Sequence, residues 1–403
     1  MLQYQNKRGY IFMAEINICK DEKKGPMYVN VVDPTAKKIW PAELCQDPQG
    51  FFLKPSSNQK NKTELFISPG WIDLHAHVYD GVGPLPISPD SIGYDTGVHY
   101  IADAGSAGEA TITGFRKYVA PAFKTPVKAW LNICSAGLVQ IPEAADIAAM
   151  DVAKTVRAAQ ANRPFVCGIK IRAEKTTVGA LGIQPVKLAA KAAREAGVRL
   201  MVHIGLPMPC IEDILDVLAP GDVISHVYHG KLNSPWNAEG KPIPAMKRAL
   251  DRGVLMDVAH GIGSFSFEVA KRAIAAGYPP FTISTDTHIL GINGPVYDLP
   301  TTMTKLCSAG MDLVDVIEAV TASPAGILQL ENWCDLKGKL HNATLFKLST
   351  SAPPSREFID CVGKKISPEK YIIPTAIINK DGMRQLDYPP ENVELDIDPA
   401  VHI

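Results

Sequence analysis

Two histidines one residue apart, His75 and His77, sit in Asp73-Leu74-His75-Ala76-His77 at the end of a strand candidate. Side chains alternate across an extended strand, so residues i and i+2 share a side and both imidazoles can reach one metal ion. Further on, single polar residues interrupt or end other apolar runs. Lys170 follows Phe165-Val166-Cys167-Gly168-Ile169, His203 follows Leu200-Met201-Val202, His226 follows Val223-Ile224-Ser225, and Asp286 follows Thr282-Ile283-Ser284-Thr285. Imidazole nitrogens and carboxylate oxygens are ligands for Zn2+ and similar borderline metals. Four histidines and one aspartate suffice for two ions, provided an anion bridges them. Taken singly, each position has a plainer reading: a satisfied core histidine, or for Lys170 a strand-end lysine reaching to water. Their shared placement at strand ends is what favours a metal site.

The elements that must position these residues alternate. Eight strands are expected at Leu65 to His75, Val98 to Ala104, Val127 to Cys134, Phe165 to Arg172, Val198 to Ile204, Asp222 to Val227, Val254 to Ala259 and Phe281 to Thr285. Helical stretches between them run through Phe115, then Ile147 to Ala161, Pro185 to Ala196, Ile211 to Leu218, Ala245 to Arg252, Phe267 to Ala276, and in several turns from Thr301 to Leu330. Strand-helix alternation repeated eight times over roughly 260 residues predicts an α/β fold, a (β/α)8 TIM barrel, whose active site forms at the C-terminal ends of its strands. An open doubly wound sheet is the competitor, but no Gly-x-Gly-x-x-Gly follows the first strand. The flanks differ in texture. Residues 1–66 and 331–403 carry short β-rich runs, such as Tyr28-Val29-Asn30-Val31-Val32 and Ala343-Thr344-Leu345-Phe346-Lys347-Leu348, between polar connectors at Lys20 to Gly25 and Ser56 to Lys62.

Composition limits the partners. Charged residues are 21% of the 403, apolar residues 46%, and the formal net charge is −1, with no Lys/Arg cluster. Neither nucleic acid nor an anionic membrane surface is expected; a small-molecule substrate is, with self-association left open. The run Tyr10-Ile11-Phe12-Met13-Ala14 is too short for a signal-peptide core or a membrane span. Eight scattered cysteines without a CxxC pair read as reduced thiols, and a cytoplasmic location is the default expectation.

Ser68-Pro69-Gly70-Trp71-Ile72-Asp73-Leu74-His75-Ala76-His77 closely resembles the opening metal motif of the amidohydrolase superfamily, and His203, His226 and Asp286 follow in that family's order. Asp103-Ala104-Gly105-Ser106-Ala107-Gly108, Gly168-Ile169-Lys170-Ile171-Arg172 and His226-Val227-Tyr228-His229-Gly230 resemble its dihydroorotase-like amidohydrolase/deacetylase group. The resemblance covers the whole chain. It implies a small β-sandwich built from both termini around the barrel, on 1–66 and 331–403, with the barrel on 67–330. It also implies the binuclear subtype, because Lys170 matches a lysine carboxylated by CO2. His75, His77 and Asp286 would then hold one ion and His203 and His226 the other, Zn2+ first and Mn2+ second, with the Lys170 carbamate as the bridging anion. Asp286 would be the catalytic acid-base. The reaction implied is hydrolysis of an amide or ester bond in a small acylated carboxylate, an N-acyl amino acid or acyl-α-hydroxy acid. Two motifs depart from the family's habit: Ser323-Pro324-Ala325 stands where Asn-Pro-Ala is common, and Leu340-His341-Asn342-Ala343-Thr344 replaces a Gly-x-x-Ala-Asp turn.

Around that centre other side chains are candidates. Arg172 shares a strand face with Lys170 and suits a substrate carboxylate or a salt bridge in the barrel rim. His288 stands in the same relation to Asp286, and one of Tyr228 and His229 is expected to line the pocket. His260 ends strand seven and is either functional or loop packing. Gly105-Ser106-Ala107-Gly108 could offer amides to an anion or could simply be a tight turn. Cys134, Cys167 and Cys210 are expected to stay outside the metal set. A catalytically silent scaffold is disfavoured because every ligand is present. A heterocycle deaminase of this superfamily usually holds one metal and lacks the lysine, so Lys170 discriminates. A cyclic amidohydrolase of dihydroorotase or hydantoinase type is the main alternative. A true dihydroorotase is not expected, because Tyr79 replaces the arginine of a His-x-His-x-Arg motif.

Overall fold

A computed structural model describes residues 27–56 and 63–393. The run Tyr10 to Ala14, Cys19, the connector Lys20 to Gly25 and most of the connector Ser56 to Lys62 lie outside the described residues.

Strands β1 (Met27–Asp33), β2 (Lys38–Asp47), β3 (Gly50–Pro55) and β4 (Leu65–Pro69) come before the barrel. The barrel strands are β5 (Trp71–Ala76), β6 (Val98–Ala104), β7 (Val127–Asn132), β8 (Val166–Ala173), β9 (Arg199–Ile204), β10 (Val223–Ser225) and β11 (Leu255–Asp257). These seven form one parallel sheet in sequence order. The eighth position, expected at Phe281 to Thr285, is an extended run rather than a full strand. It bridges β11 through Asp257 and Thr282 and β5 through Ala76 and Thr287, which closes the TIM-barrel-like fold.

After the barrel come β12 (Asn342–Ser349), β13 (Tyr371–Asn379) and β14 (Gly382–Gln385). They join the first four in a single seven-stranded sheet, in the order β14-β13-β12-β4-β1-β2-β3. A second sheet facing it, as a sandwich would require, is not found among the described residues. The sheet has its own core, including Val29, Val31, Leu44, Phe51, Ile67, Leu345 and Ile378.

The expected first strand, Leu65 to His75, is two strands. β4 pairs with β1 and β12, and the barrel begins at Trp71. Gly70 is the break: its N–H donates to the Asn342 carbonyl, and a Cβ there would sit 2.6 Å from the His99 ring. The first strand of the parallel sheet, β5, begins at Trp71.

Helices α1 (Val152–Ala161), α2 (Gln184–Ala196), α3 (Ile211–Val217), α4 (Pro244–Asp251), α5 (Phe267–Ala275), α6 (Leu299–Ser308), α7 (Leu313–Ala319) and α8 (Ala322–Leu328) accompany the strands. Local rules explain them. Asp151 caps α1 by accepting from the Lys154 N–H, and Asp298 caps α6 through the Thr301 N–H. In α2, Pro185 opens the first turn; Val186, Ala189, Ala192, Ala193 and Ala196 make the buried stripe; Gly197 in the left-handed region ends it. The lower barrel interior is plugged by Ile72, Leu74, Trp130, Met201 and Val223, closed off by Ala325, Ile327 and Leu328 of α8 and its end.

Candidate active site

Alternation alone does not aim all the expected ligands inward. Ile72 and Leu74 pack in the barrel interior, so His75 would face outward. A register shift between β5 and β6, from Asp73 to Ala76, inserts one residue and flips the alternation. His75 and His77 then face the interior, while Ala76 and Val78 join the outer core. On β8 no correction is needed: Gly168 lies against the Trp130 ring, and Lys170 and Arg172 follow at i+2 and i+4. On β10, Ser225 is opposite His203, so His226 should point away. His226 instead takes φ 68°, Ala259 after β11 takes φ 40°, and Asp286 takes φ 52°. Non-glycine residues rarely adopt such backbones, at a cost of about 1–3 kcal/mol each, and they cluster at functional sites.

The six residues come together. Asp286 Oδ1 lies 3.1 Å from His77 Nε2 and 3.4 Å from His75 Nε2, and its Oδ2 lies 3.9 Å from His226 Nε2. Lys170 Nζ is 3.1 Å from His75 Nε2, and the His203 and His226 rings are 4.2 Å apart. Ligand atoms of His75, His77 and Asp286 all fall within 4.8 Å of one another.

Three of the four imidazoles are oriented from behind. His75 Nδ1 faces Asp257 Oδ2 at 3.3 Å, His77 Nδ1 meets Ser106 Oγ at 3.0 Å, and His226 Nδ1 donates to the Ala259 carbonyl at 2.6 Å. With Nδ1 protonated on His75 and His226, their Nε2 lone pairs face the centre, as metal-ligating histidines require. The Nε2 atoms of His203 and His226 are buried and make no hydrogen bond; Glu174 Oε2, 3.8 Å from His203, is too far. Buried polar atoms without partners are rare and costly. Two such nitrogens beside a His-His-Asp group are what a divalent ion would satisfy, so the donor set is consistent with divalent metal binding.

Electrostatics agree. Burial lowers the Lys170 amine to about 7 against the opposing pull of Asp286 and Asp257. Burial alone would raise the Asp286 carboxyl, but His75 and His77 hold it well below the usual range. Burial takes His203 down to about 4 and His226 well below the ordinary imidazole value. Both imidazoles are therefore neutral at neutral pH.

The outer candidates separate. Arg172 gives its Nε and one NH2 edge to Glu143 at 2.7 and 2.6 Å, which is the rim salt bridge. Tyr228 does not line the site: it is fully buried, and its hydroxyl donates to the Tyr278 carbonyl at 2.7 Å. His229 is the member of that pair beside His203 and Glu174; its Nδ1 accepts from the Lys231 N–H and its Nε2 is without a partner. The His288 ring lies 6.2 Å from His77, and its Nδ1 accepts from the Leu290 N–H, so Nε2 carries the proton. The Gly105–Gly108 turn holds no anion nest. Asp103 takes the Gly105 and Ser106 amides, and Gly105, at φ 92°, makes room for Lys170, whose Cγ a Cβ would meet at 2.7 Å. Cys134, Cys167 and Cys210 are free thiols, and burial pushes the Cys167 thiol up to about 12.

Sequence reasoning missed Asp257, Glu143, Glu174 and the part played by the Ser106 hydroxyl. Asp257 carried the same signal as the ligands, a carboxylate ending the apolar run Val254-Leu255-Met256. The others sit in loops or after turns, where no local pattern marks them.

No family model matches the chain. A deacetylase of Agrobacterium fabrum is 41% identical over 288 residues, covering 70% of this chain and 70% of its own. A deacetylase of Brucella anthropi is 42% identical over 288 residues, covering 70% and 71%. Among solved structures, a dihydroorotase aligns with a TM-score of 0.77 at 33% identity, over 90% of this chain and 98% of that one. An adenine deaminase aligns with a TM-score of 0.79 at 32% identity, over 89% and 98%. The chain belongs to the amidohydrolase superfamily. Within that superfamily it is a deacetylase-like hydrolase. The amidohydrolase neighbours bear names for different bonds, so the residues of this site must say which chemistry fits it.

Proposed function

We propose that the chain is a binuclear metal-dependent hydrolase that removes the acyl group from a small acylated carboxylate, an N-acyl amino acid or an acyl-α-hydroxy acid. The observation that carries this reading is Lys170. Its buried amine lies 3.1 Å from His75 Nε2, in a ring of four imidazoles and one carboxylate. A superfamily deaminase usually has no use for such a lysine. With the amine brought to about 7 by burial, a large fraction is neutral at neutral pH. Neutral Nζ can add to CO2, an N–C bond forming as one C=O π bond opens and the amine loses a proton, and the carbamate would supply the bridging anion.

In this reading His75, His77 and Asp286 hold one ion, His203 and His226 the other. Divalent ions bound there, Zn2+ first and Mn2+ second, supply Lewis acidity toward a carbonyl and make water more acidic. Asp286 takes the proton of the attacking water through its carboxylate and delivers it to the leaving nitrogen or oxygen. Arg172, clamped by Glu143 on one edge, has its other edge for a substrate carboxylate. His288 Nε2–H and His229 Nε2–H are neutral donors for the acyl or carboxylate oxygens. Tyr228 has no part.

Two measurements test the proposal. Protein purified with zinc or manganese and bicarbonate should contain about two ions per chain. A screen of N-acyl amino acids, acyl-α-hydroxy acids and cyclic amides should give its best turnover with an acylated acid. Reproducible absence of metal would remove the proposal, and turnover confined to cyclic amides would transfer it to a cyclic amidohydrolase.

A further inference from the structure

Lys305 on α6 is a second fully buried lysine, and the hydrolytic reading gives it no role. Its Nζ has three partners: His260 Nε2 at 2.9 Å, the Pro295 carbonyl at 2.8 Å and the Ile359 carbonyl at 2.8 Å. His260 Nδ1 donates to the Gly261 carbonyl at 2.8 Å, so Nε2 is the bare nitrogen that accepts from Lys305. The His260 ring is also stacked on Phe265 at 4.7 Å.

His260 sits between two residues that touch the centre. On one side, the Ala259 carbonyl receives the His226 Nδ1–H at 2.6 Å. On the other, Gly261, at φ 54°, lies so close to Asp286 that a Cβ would fall 2.7 Å from Oδ2. The backbone of this tripeptide is further tied to the eighth barrel run by His260 N–H to Ser284 O and Gly261 N–H to Thr285 O. The segment that carries Ile359 grips the same loop twice more. Cys361 N–H donates to the Phe265 carbonyl, and Asp360 Oδ2 accepts from the Phe267 N–H at 3.0 Å. That segment is the connection between β12 and β13, so a loop of the C-terminal part packs against the Ala259–Phe267 stretch.

We infer that Lys305 and His260 are positioning residues: their hydrogen bond locks the Ala259–Gly261 loop against His226 and Asp286 and so sets the aim of both. The inference rests on the roles of His226 and Asp286 proposed above. Neither Lys305 nor His260 touches substrate. Groups that orient a ligand from behind typically matter 10–100-fold in metal affinity or activity, and a displacement of about 1 Å at the reacting centre can cost about 100-fold.

The test compares His260→Leu, which removes the acceptor, with His260→Gln, whose amide oxygen can still accept from Lys305, each as the full chain. Three quantities are read: the downfield ring-proton resonance of His226 Nδ1–H in metal-free protein, the visible absorption of the cobalt-substituted protein, and kcat against KM. His260→Leu is expected to lose the ring-proton resonance, alter the cobalt spectrum and lower kcat by about tenfold or more with KM within about threefold. His260→Gln is expected to restore the resonance and most of kcat. Lys305→Met should repeat the leucine result, and if it does not fold, the His260 pair decides by itself. If His260→Leu keeps the resonance, the spectrum and kcat, or if leucine and glutamine variants fall equally, the inference is overturned. Absence of metal from the wild-type protein would instead remove the hydrolytic reading, while the ring-proton comparison would still judge the loop.

Discussion

Asp257 Oδ2 lies 3.3 Å from His75 Nδ1, while its Oδ1 accepts from the hydroxyls of Thr282 at 2.8 Å and Ser284 at 2.6 Å. The carboxylate is thus held in place by the eighth barrel run and fixes the tautomer of a histidine from the first. Asp257→Asn should keep the fold and weaken metal retention or turnover by about 10–100-fold, the usual cost of losing such a partner. Titrating bound zinc with a competing chelator reads this directly, and wild-type retention would show that His75 needs no carboxylate behind it.

Lys170→Ala should lose the bridging anion, much of the second ion and nearly all activity. Short carboxylic acids added to the variant are expected to restore some turnover by standing where the carbamate stood. Full activity with both ions in Lys170→Ala would rule the carbamate out.

The Lys170 amine also makes a pH prediction. Its value is lowered from the ordinary lysine range to about 7, burial being the largest cause. Only the neutral amine adds to CO2, so the neutral fraction rises as pH climbs through about 7 and levels off above it. At fixed dissolved CO2, reactivation of metal-free, decarboxylated protein should follow that curve in stopped-time assays. A rate still climbing steeply above pH 9 would mean that the amine titrates like an exposed lysine and would overturn this prediction.

Asp286→Asn should retain the fold and reduce turnover on the order of 10²–10⁴-fold, the range of a general acid-base contribution. A near-normal kcat would require another proton carrier. His288, beside His77 and Asp286, is the nearest neutral imidazole outside the ligand set, and burial lowers it to about 4.

Dihydroorotate should not be a good substrate, despite the likeness to a solved dihydroorotase. Tyr79 carries no positive charge, and its hydroxyl is already given to the Thr111 carbonyl at 3.1 Å, with its ring stacked on Phe115 at 4.3 Å. Without a cation there, a substrate carboxylate forgoes a charge-assisted hydrogen bond, at a cost of roughly 1.5–3 kcal/mol. Assays of dihydroorotate hydrolysis and of carbamoyl aspartate cyclisation check this. A kcat/KM of about 10⁴ M⁻¹s⁻¹ or above would show that another cation replaces the missing arginine.

Much of this site is legible in one dimension because its signal is local. A histidine, lysine or aspartate ending a run of apolar residues marks a strand tip, and a barrel collects its strand tips at one mouth. His75, His77, Lys170, His203, His226 and Asp286 all carry that mark, and so did Asp257, which only needed to be read by the same rule. The alternation of strands with alanine-rich helices likewise followed from periodicity and caps.

What only the tertiary structure decided is aim and partnership. The irregularity in β5 that turns His75 inward, and the left-handed backbones of His226 and Asp286, are imposed by neighbouring strands and leave no local pattern. Arg172 finds Glu143 across 29 positions, and Lys305 finds His260 across 45 and Ile359 across 54. The terminal strands read as β from either end, yet their joining in one sheet depends on β4 sitting between β1 and β12. Composition and spacing can specify which side chains reach a barrel mouth. Which hydrogen bonds they make there depends on the closeness of segments far apart in the chain, and burial then leaves each polar group no partner but the one that packing supplies.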